Sequence, residues 1–186
     1  MSTLRGEADI LALIAAQPER MCWLRGVRDH GPEGAWIGAG FVRNTVWDAL
    51  HGYAEATPLA DVDVLYFVAD DLAAETDEAW ERHLRKACPG APWSVRNQAR
   101  MHLRNGDSAY SDCGDAMRHW PETCTAVALR LCGERLELLA PLGIDDLLAL
   151  RVRPTERFRA KPHLYRERLA AKNWPARWPK LRMEPL

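Results

Sequence analysis

The sequence predicts an α/β (α+β) protein with a small mixed sheet, helices packed on one face of that sheet, and a short basic helical segment at the C-terminus. Three observations support this prediction. Short apolar runs with strand-like patterns alternate with stretches that have helical apolar spacing. Proline and glycine separate these runs at short intervals. The formal charge is −9 over residues 1–150 and +8 over residues 151–186, which sets the C-terminal segment apart.

The first half of the chain contains the clearest patterns. Apolar spacing predicts helices that end at proline or glycine, over residues 7–16, 19–30, 41–50 and 77–88. Short apolar runs predict strands between them, over residues 35–37 and 61–68. We also expect a strand over residues 93–103, because Trp93, Val95 and Met101 fall on one face and polar residues fall on the other.

The second half is predicted to complete the sheet and then to become helical. Residues 115–120 have the pattern of a helical turn. Residues 123–131 and 135–140 read as two strands of a hairpin around the turn at 132–134. Helices are predicted over residues 145–151 and 163–173, and Pro154 ends the first of these. We therefore expect a core at residues 1–150 with a basic helical segment at 151–186 packed on it.

Composition narrows the class of protein. The chain has 186 residues, of which 47% are hydrophobic and 27% are charged, as is usual for one globular domain. No apolar run is long enough to span a bilayer, and the first residues lack a signal-peptide pattern. The five cysteines are scattered and form no CxxC pair. These features predict a cytoplasmic protein that does not insert into a membrane.

Two aspartates one residue apart are the most informative feature of the chain. Asp61 and Asp63 lie in an apolar strand pattern, and the strand period of two points both side chains to the same face. Neighbouring carboxylates repel each other unless a positive charge lies between them. Hard carboxylate oxygens suit Mg²⁺, or Mn²⁺ in the same role. We therefore predict that Asp61 and Asp63 hold a divalent metal.

A glycine turn precedes this strand by some twenty residues. Gly38 and Gly40 flank Ala39 where a short strand runs into a helix, and a helix N-terminus can bind phosphate. Arg43 and Asn44 lie on the first helical turn, from which their side chains can reach a bound phosphate. We predict a nucleotide site at Gly38, Gly40, Arg43 and Asn44, although such glycines also form ordinary tight turns.

The sequence leaves the third ligand of such a metal site open. Glu137 alternates with Leu136 and Leu138, so it points away from the apolar face and either enters the site or lies on an outer surface. Asn97 is the alternative, because it lies in the predicted strand that follows the next helix. We take Glu137 as the candidate catalytic carboxylate and keep Asn97 as its rival.

Several further side chains have two interpretations each. Polar residues on one face of the predicted strand 93–103 either contact phosphate or substrate or form a solvated edge: Arg96, Gln98, Arg100 and His102. Trp120, Trp174 and Trp178 either stack on bases or pack in the core. The basic residues of 151–186 either meet phosphates or neutralise the acidic body.

The glycine turn and the aspartate pair resemble a known arrangement. Residues 38–63 are similar to the head of the tRNA nucleotidyltransferases of the polymerase-beta-like superfamily, in which a glycine pair is followed by Val-Arg-Asp, a helix and Asp-x-Asp. Here the equivalents are Gly38-x-Gly40, Val42-Arg43-Asn44 and Asp61-Val62-Asp63, with Asn44 in place of an acid. Over most of its length the chain resembles a small bacterial nucleotidyltransferase-like family. Further strings carry this resemblance, among them residues 95–102, 120–123, 145–147 and 152–154.

The resemblance implies a nucleotidyltransferase-like fold and a transfer reaction that requires Mg²⁺ or Mn²⁺. The expected partners are a nucleoside triphosphate, such as ATP, and an acceptor that the sequence does not identify. Two other functions stay open: a nucleotide-binding or regulatory domain without catalysis, and a small RNA-binding module that uses the basic segment.

Overall fold

The computed structural model describes residues 4–186, so the predicted core is described from its fourth residue onward. The N-terminal half contains helices α1 (Glu7–Ala15), α2 (Pro18–His30), α3 (Gly40–His51) and α4 (Ala74–Ala87). Shorter helices follow: α5 (Gln98–Asn105), α6 (Cys113–Arg118), α7 (Asp145–Leu148), α8 (Glu156–Arg159), α9 (Pro162–Lys172) and α10 (Trp174–Arg177).

Five strands form the main sheet in the spatial order β3-β2-β1-β4-β5. They are β1 (Trp36–Gly38), β2 (Val62–Tyr66), β3 (Trp93–Asn97), β4 (Ala128–Cys132) and β5 (Arg135–Leu139). β2 and β3 run parallel, whereas the other neighbouring pairs are antiparallel, so the sheet is mixed as predicted. Two short strands, β6 (Arg151–Val152) and β7 (Arg182–Met183), pair separately and in parallel.

The main hydrophobic core lies on one face of this sheet. Val62, Val64 and Ile37 are fully buried and pack with residues of α1, α2, α3 and α4. These side chains alternate along their strands with residues that face the other way, as the period of two requires. A smaller core on the opposite face joins Leu65 and Ala128 to Cys113 and Met117 of α6. Most helices therefore cover one face, and the second face stays partly open.

The predicted strand over residues 93–103 is wrong beyond Asn97. β3 ends there, and the chain turns into α5 because the Asn97 side chain accepts a hydrogen bond from the amide of Ala99 at 3.0 Å. Such capping satisfies one of the free amides at the start of a helix. Gly106, at φ 68°, ends the helix in the left-handed conformation. The alternation of polar and apolar residues continued past the strand by chance.

The basic C-terminal segment packs against α3. Trp174 and Trp178 meet Trp47 edge to face, with ring centroids 5.3 and 5.1 Å apart. The indole nitrogen of Trp178 donates a hydrogen bond to the buried Asp48 at 2.8 Å. These contacts bring the positive charge of the segment onto the acidic body. The division of the chain at residue 150 stays a prediction.

Within residues 4–186, the structure contains no helix with the length and apolar character needed to cross a bilayer.

Candidate functional site

A cleft of about 530 Å³ opens where the start of α3, the start of β2 and the C-terminal segment meet. It is lined largely by polar and small residues that come from distant parts of the chain. They include Gly40, Arg43, Asn44, Asp61, Asp63, Thr125, Arg168, Lys172 and Arg177. The cleft therefore joins the two patterns that the sequence analysis singled out.

Asp61 and Asp63 both line this cleft. Asp63 lies in β2 opposite Gly38 of β1, and Asp61 immediately precedes the strand. Burial and the neighbouring Asp61 carboxylate raise the pKa of Asp63 to about 6, while the positive charge of Arg43 opposes the shift. A carboxylate with a raised pKa beside another carboxylate is a favourable place for a cation. The structure thus brings the two predicted metal ligands together on the open face of the sheet.

The turn before α3 is built differently from the prediction. Ala39, not a glycine, has the positive φ of 51°, and it precedes the first helical residue, Gly40. A β-carbon on Gly40 would lie 3.6 Å or more from its neighbours, so steric crowding within the protein does not require a glycine at this position. The missing side chain instead leaves space in the cleft. Gly38 lies within β1, where a β-carbon would meet Leu65 at 3.0 Å and Trp120 at 3.3 Å. Its role is close packing, and it does not line the cleft.

Arg43 is held rigidly at the base of the cleft. Its guanidinium donates to the Thr125 hydroxyl at 2.9 Å and to the Asn44 side-chain oxygen at 3.0 Å. The same group lies over the Trp174 ring at 4.4 Å. Only 6% of Arg43 is exposed, and the side chain lines the cleft. Asn44 is positioned through this hydrogen bond.

Three further cationic residues of the cleft have no sequence motif that marks them as site residues. Arg168 and Lys172 of α9 and Arg177 of α10 also line the cleft, and we call these three residues the cationic wall. Arg168 is paired with Glu122, whose carboxylate is fully buried. The excess positive charge of residues 151–186 is the sequence feature that could have predicted these residues. It did not indicate where the segment lies in the fold.

Glu137 does not join the aspartates, which corrects the prediction for the third carboxylate. It lies on β5, three strands away from β2, a separation of about 14 Å at the usual strand spacing. Arg130 donates to its carboxylate at 2.8 Å, and Arg135 also pairs with it. These two arginines lower the pKa of Glu137, the hydrogen bond from Arg130 most of all.

Asn97 is also placed away from the site. It pairs with Tyr66, which lies three residues after Asp63 on β2, and an odd separation places the two side chains on opposite faces of the sheet. Its amide donates to the carbonyls of Val68 and Asp71, and its oxygen accepts from the amides of Val68 and Ala99. The side chain is fully buried and structural. It has no capacity left for a metal.

The predicted polar strip does not exist as one surface. Arg96 ends up on β3 and Gln98 at the start of α5, and both line a second cavity beside the cleft. Arg100 turns away to pair with the buried Asp77. The His102 ring bonds to the carbonyl of Ala99 at 2.6 Å and lines neither cavity.

The donor set fits a hard divalent cation. The two aspartates supply oxygen ligands only, and Mg²⁺ commonly takes one or two carboxylates with water and phosphate oxygens completing its shell. Within residues 4–186, no cluster of three or more His, Cys, Asp or Glu side chains is arranged to hold a metal without such help. Asp61 and Asp63 would therefore hold the ion together with a phosphate-bearing substrate.

Comparison with known proteins agrees with this geometry. A family model described as Nucleotidyltransferase matches residues 25–183. A structure solved by NMR and described as revealing a CCA-adding enzyme head domain is 35% identical to the chain. The match covers 99% of this chain and 98% of the other, with a TM-score of 0.86. No curated protein sequence matches the chain.

More distant structures share the fold alone. The Thermotoga maritima CCA-adding enzyme complexed with tRNA is 18% identical, with a TM-score of 0.59, and the match covers 99% of this chain and 43% of that one. A CCA-adding enzyme in complex with CTP is 17% identical, with a TM-score of 0.62, and the corresponding shares are 99% and 44%. The chain thus spans less than half the length of these two enzymes. The match over residues 25–183 and the 35% identity to a head domain show that the chain belongs to the nucleotidyltransferase family, enzymes that transfer phosphorus-containing groups.

Proposed function

We propose that the chain transfers a nucleoside monophosphate from a nucleoside triphosphate to an acceptor, with Mg²⁺ or Mn²⁺ as cofactor. One observation supports this most strongly. The aspartate pair, the start of α3 and three cationic residues of the C-terminal segment line one cleft of about 530 Å³. A cleft lined by both carboxylates and cations matches a metal–triphosphate complex, which carries both kinds of charge.

Each side of the cleft has its own task in this proposal. Asp61 and Asp63 hold the cation, which neutralises charge on the phosphates when it is bound. The first amides of α3, at Gly40 and Phe41, have no partner within the helix and can donate hydrogen bonds to phosphate oxygens. Arg43 binds a phosphate or the ribose from the base of the cleft, since its position is fixed by Thr125 and Asn44.

Arg168, Lys172 and Arg177 line the same cleft and supply positive charge to the triphosphate. Among the related structures, complexes of CCA-adding enzymes with CTP and with ATP have been solved, which supports a triphosphate as the donor. One of those enzymes was solved with tRNA, which makes an RNA end a reasonable acceptor here.

A binding experiment tests the cleft. We expect nucleoside triphosphates to raise the melting temperature of the wild-type protein in the presence of Mg²⁺, because a ligand of the native state stabilises it. Asp63→Asn should abolish the metal-dependent shift and the release of pyrophosphate while the protein stays folded. Asp70→Asn is the matched control, since Asp70 is exposed and does not line the cleft. An unchanged metal-dependent shift in Asp63→Asn would refute this site.

A nucleotide-binding domain without catalysis is the second candidate. The observation that favours it is the lack, within residues 4–186, of a third metal-binding side chain beside the aspartate pair. The two candidates differ in turnover. A transferase consumes labelled triphosphate and releases pyrophosphate, whereas a binding domain shows the same metal-dependent thermal shift with no product.

A further inference from the structure

The loop between α3 and β2 carries Asp61, the first aspartate of the pair. It spans residues 52–61, and its last four residues line the cleft. Asp61 is exposed and precedes the first paired residue of β2, so the hydrogen bonds of the sheet do not fix its position. Thr57 is buried, whereas the other residues of the loop are exposed or half-buried. The position of the Asp61 carboxylate therefore depends on how Thr57 is held.

Asp48 of α3 holds Thr57 by two hydrogen bonds. The backbone amide of Thr57 donates to Oδ2 of Asp48 at 2.8 Å, and the Thr57 hydroxyl donates to Oδ1 at 2.7 Å. Asp48 is buried and does not line the cleft. Hydrogen bonds to a charged group stabilise more than neutral ones, and a buried carboxylate that loses its donors is costly. Asp48 thus ties the loop that carries Asp61 to α3, whose first residue, Gly40, also lines the cleft.

The third hydrogen bond to Asp48 comes from the C-terminal segment. The indole nitrogen of Trp178 donates to Oδ1 at 2.8 Å, and Trp178 directly follows Arg177 of the cationic wall. The loop and this segment also contact each other, because the Tyr53 hydroxyl donates to the carbonyl oxygen of Arg177. One buried carboxylate therefore holds two parts of the chain that reach the cleft separately, one with a carboxylate and the other with a cation.

We propose that Asp48 is a positioning residue, which sets the distance between the Asp61 carboxylate and Arg177 in the cationic wall. This inference rests on the proposed function of the cleft. A metal held by Asp61 and a phosphate contacted by Arg177 belong to one triphosphate, so both groups must fit it at once. A displacement of about 1 Å within such a set can reduce activity by about 100-fold. A carboxylate suits this task, since it accepts all three hydrogen bonds and, when ionised, presents no competing donor.

Two substitutions separate the two links. Asp48→Asn keeps the size of the side chain, and its Oδ1 can still accept from Trp178 and from the Thr57 hydroxyl. Its amide nitrogen replaces Oδ2 and faces the Thr57 amide, so two donors oppose each other and the link to the loop is broken. Trp178→Phe removes the indole donor and keeps an aromatic ring against Trp47. The first variant therefore releases the loop, and the second releases the C-terminal segment.

Asp77→Asn is the matched control. Asp77 is also a buried aspartate of a helix, and its Oδ1 accepts from the backbone amide of Asn97 and from the Tyr66 hydroxyl, both at 2.8 Å. It lines neither the cleft nor the second cavity beside it. The control therefore reproduces the loss of stability at a buried carboxylate without releasing either part of the cleft.

Isothermal titration of a non-hydrolysable ATP analogue, with and without Mg²⁺, measures the effect on the cleft. We expect Asp48→Asn to reduce the gain in affinity that Mg²⁺ provides by about tenfold, because the Asp61 carboxylate is displaced. Trp178→Phe should weaken binding by about threefold or more both with and without Mg²⁺, because it displaces Arg177. Asp77→Asn should leave both affinities at the wild-type values. An undiminished Mg²⁺ gain in Asp48→Asn, or an equal loss in Asp77→Asn, would overturn the inference.

Amide hydrogen exchange gives a second measurement, which requires no nucleotide. The Thr57 amide should exchange about tenfold faster or more in Asp48→Asn than in the wild type, and at the wild-type rate in Asp77→Asn. An unchanged rate in Asp48→Asn would show that Asp48 does not hold the loop. Failure of the proposed function is recognised separately, because the wild-type protein then binds no triphosphate. The role of Asp48 toward the metal ligand is refuted with it, and the exchange rates still decide whether Asp48 holds the loop.

Discussion

Ala39 stands where a glycine would be expected. Its φ of 51° lies in the region that residues with a β-carbon avoid, and its amide is held by a 2.9 Å hydrogen bond to the carbonyl of Val127. The turn sets the start of α3 beside Asp63, because Ala39 lines both the cleft and the second cavity beside it. Strain at such a position is commonly maintained where function requires the backbone geometry.

Ala39→Gly should stabilise the protein. The substitution relieves about 1–3 kcal/mol of backbone strain in the folded state. This gain exceeds the loss of about 0.4–1 kcal/mol that results from the greater conformational entropy of the unfolded chain. A net gain of about 1 kcal/mol corresponds to a rise in Tm of about 2–4 °C for a chain of this size. Calorimetry of the two proteins at equal concentration measures it. A lower Tm for Ala39→Gly would show that the β-carbon contributes packing that outweighs the strain.

Asp63 makes the stability of the metal-free protein depend on pH. Burial and Asp61 raise its pKa to about 6 in the folded state, above the usual value near 3.8. The folded state therefore binds more protons than the unfolded state between these pH values, and stability falls as the pH rises through this window. Asp63→Asn lacks this effect. Urea unfolding should show that the variant gains stability over the wild type from pH 4.5 to pH 7.5; a constant difference would contradict the raised pKa.

At the scale of the elements, the junction of β3 and α5 decides which polar side chains face the site. The Asn97 side chain ties the end of β3 to the backbone of Val68, Asp71 and Ala99, and the helix that follows carries Arg100 to Asp77. Only Arg96 and Gln98 of the predicted strip remain on the open face. On β5, Glu137 is part of a cross-strand arginine cluster and not of a metal site.

Asn97→Ala and Glu137→Gln separate these structural roles from catalysis. Asn97→Ala should lower the free energy of unfolding by about 2–5 kcal/mol, because it removes a helix cap and leaves buried backbone groups without partners. Glu137→Gln should change stability little. Neither substitution should alter the Kd of the triphosphate, measured by titration at a temperature where both variants are folded. Loss of triphosphate binding in Glu137→Gln would show that Glu137 does contribute to the site.

At the scale of the whole molecule, the C-terminal segment completes the cleft. Its tryptophans anchor it: Trp178 is 1% exposed, and Trp174 is 5% exposed. Lys172 lies two residues before Trp174, and Arg177 lies between the two tryptophans, so their positions depend on the packing of the two rings against Trp47. The segment that carries a net positive charge thereby contributes side chains to the cleft.

Trp178→Ala tests this dependence. The cavity and the lost hydrogen bond to Asp48 should cost about 3–5 kcal/mol of stability, and displacement of the cationic wall should weaken triphosphate binding. Leu84→Ala is the control, because Leu84 is equally buried in α4 but does not line the cleft. Titrations at low temperature, where both are folded, should show weaker binding in Trp178→Ala alone. Equal triphosphate affinities in the two variants would show that the nucleotide site does not depend on the tryptophan anchor.

The sequence by itself determined the features that depend on local periodicity. Asp61 and Asp63 point the same way because side chains alternate along any strand, and the helix after Gly40 follows from its apolar spacing. The mixed sheet was predicted from the same patterns, whereas the nucleotidyltransferase family was implied by the resemblance that the quoted motifs carry.

Only the tertiary structure decided which distant residues meet these aspartates. Glu137 lies three strands away from the aspartates because of the strand order in the sheet. That order depends on burial and on how the chain connects the strands, and a local sequence pattern does not reveal it. The packing of Trp178 on Trp47 brought Lys172 to the cleft from more than a hundred residues along the chain. These contacts are long-range, and their free energy comes from burying apolar surfaces that no single segment can bury alone.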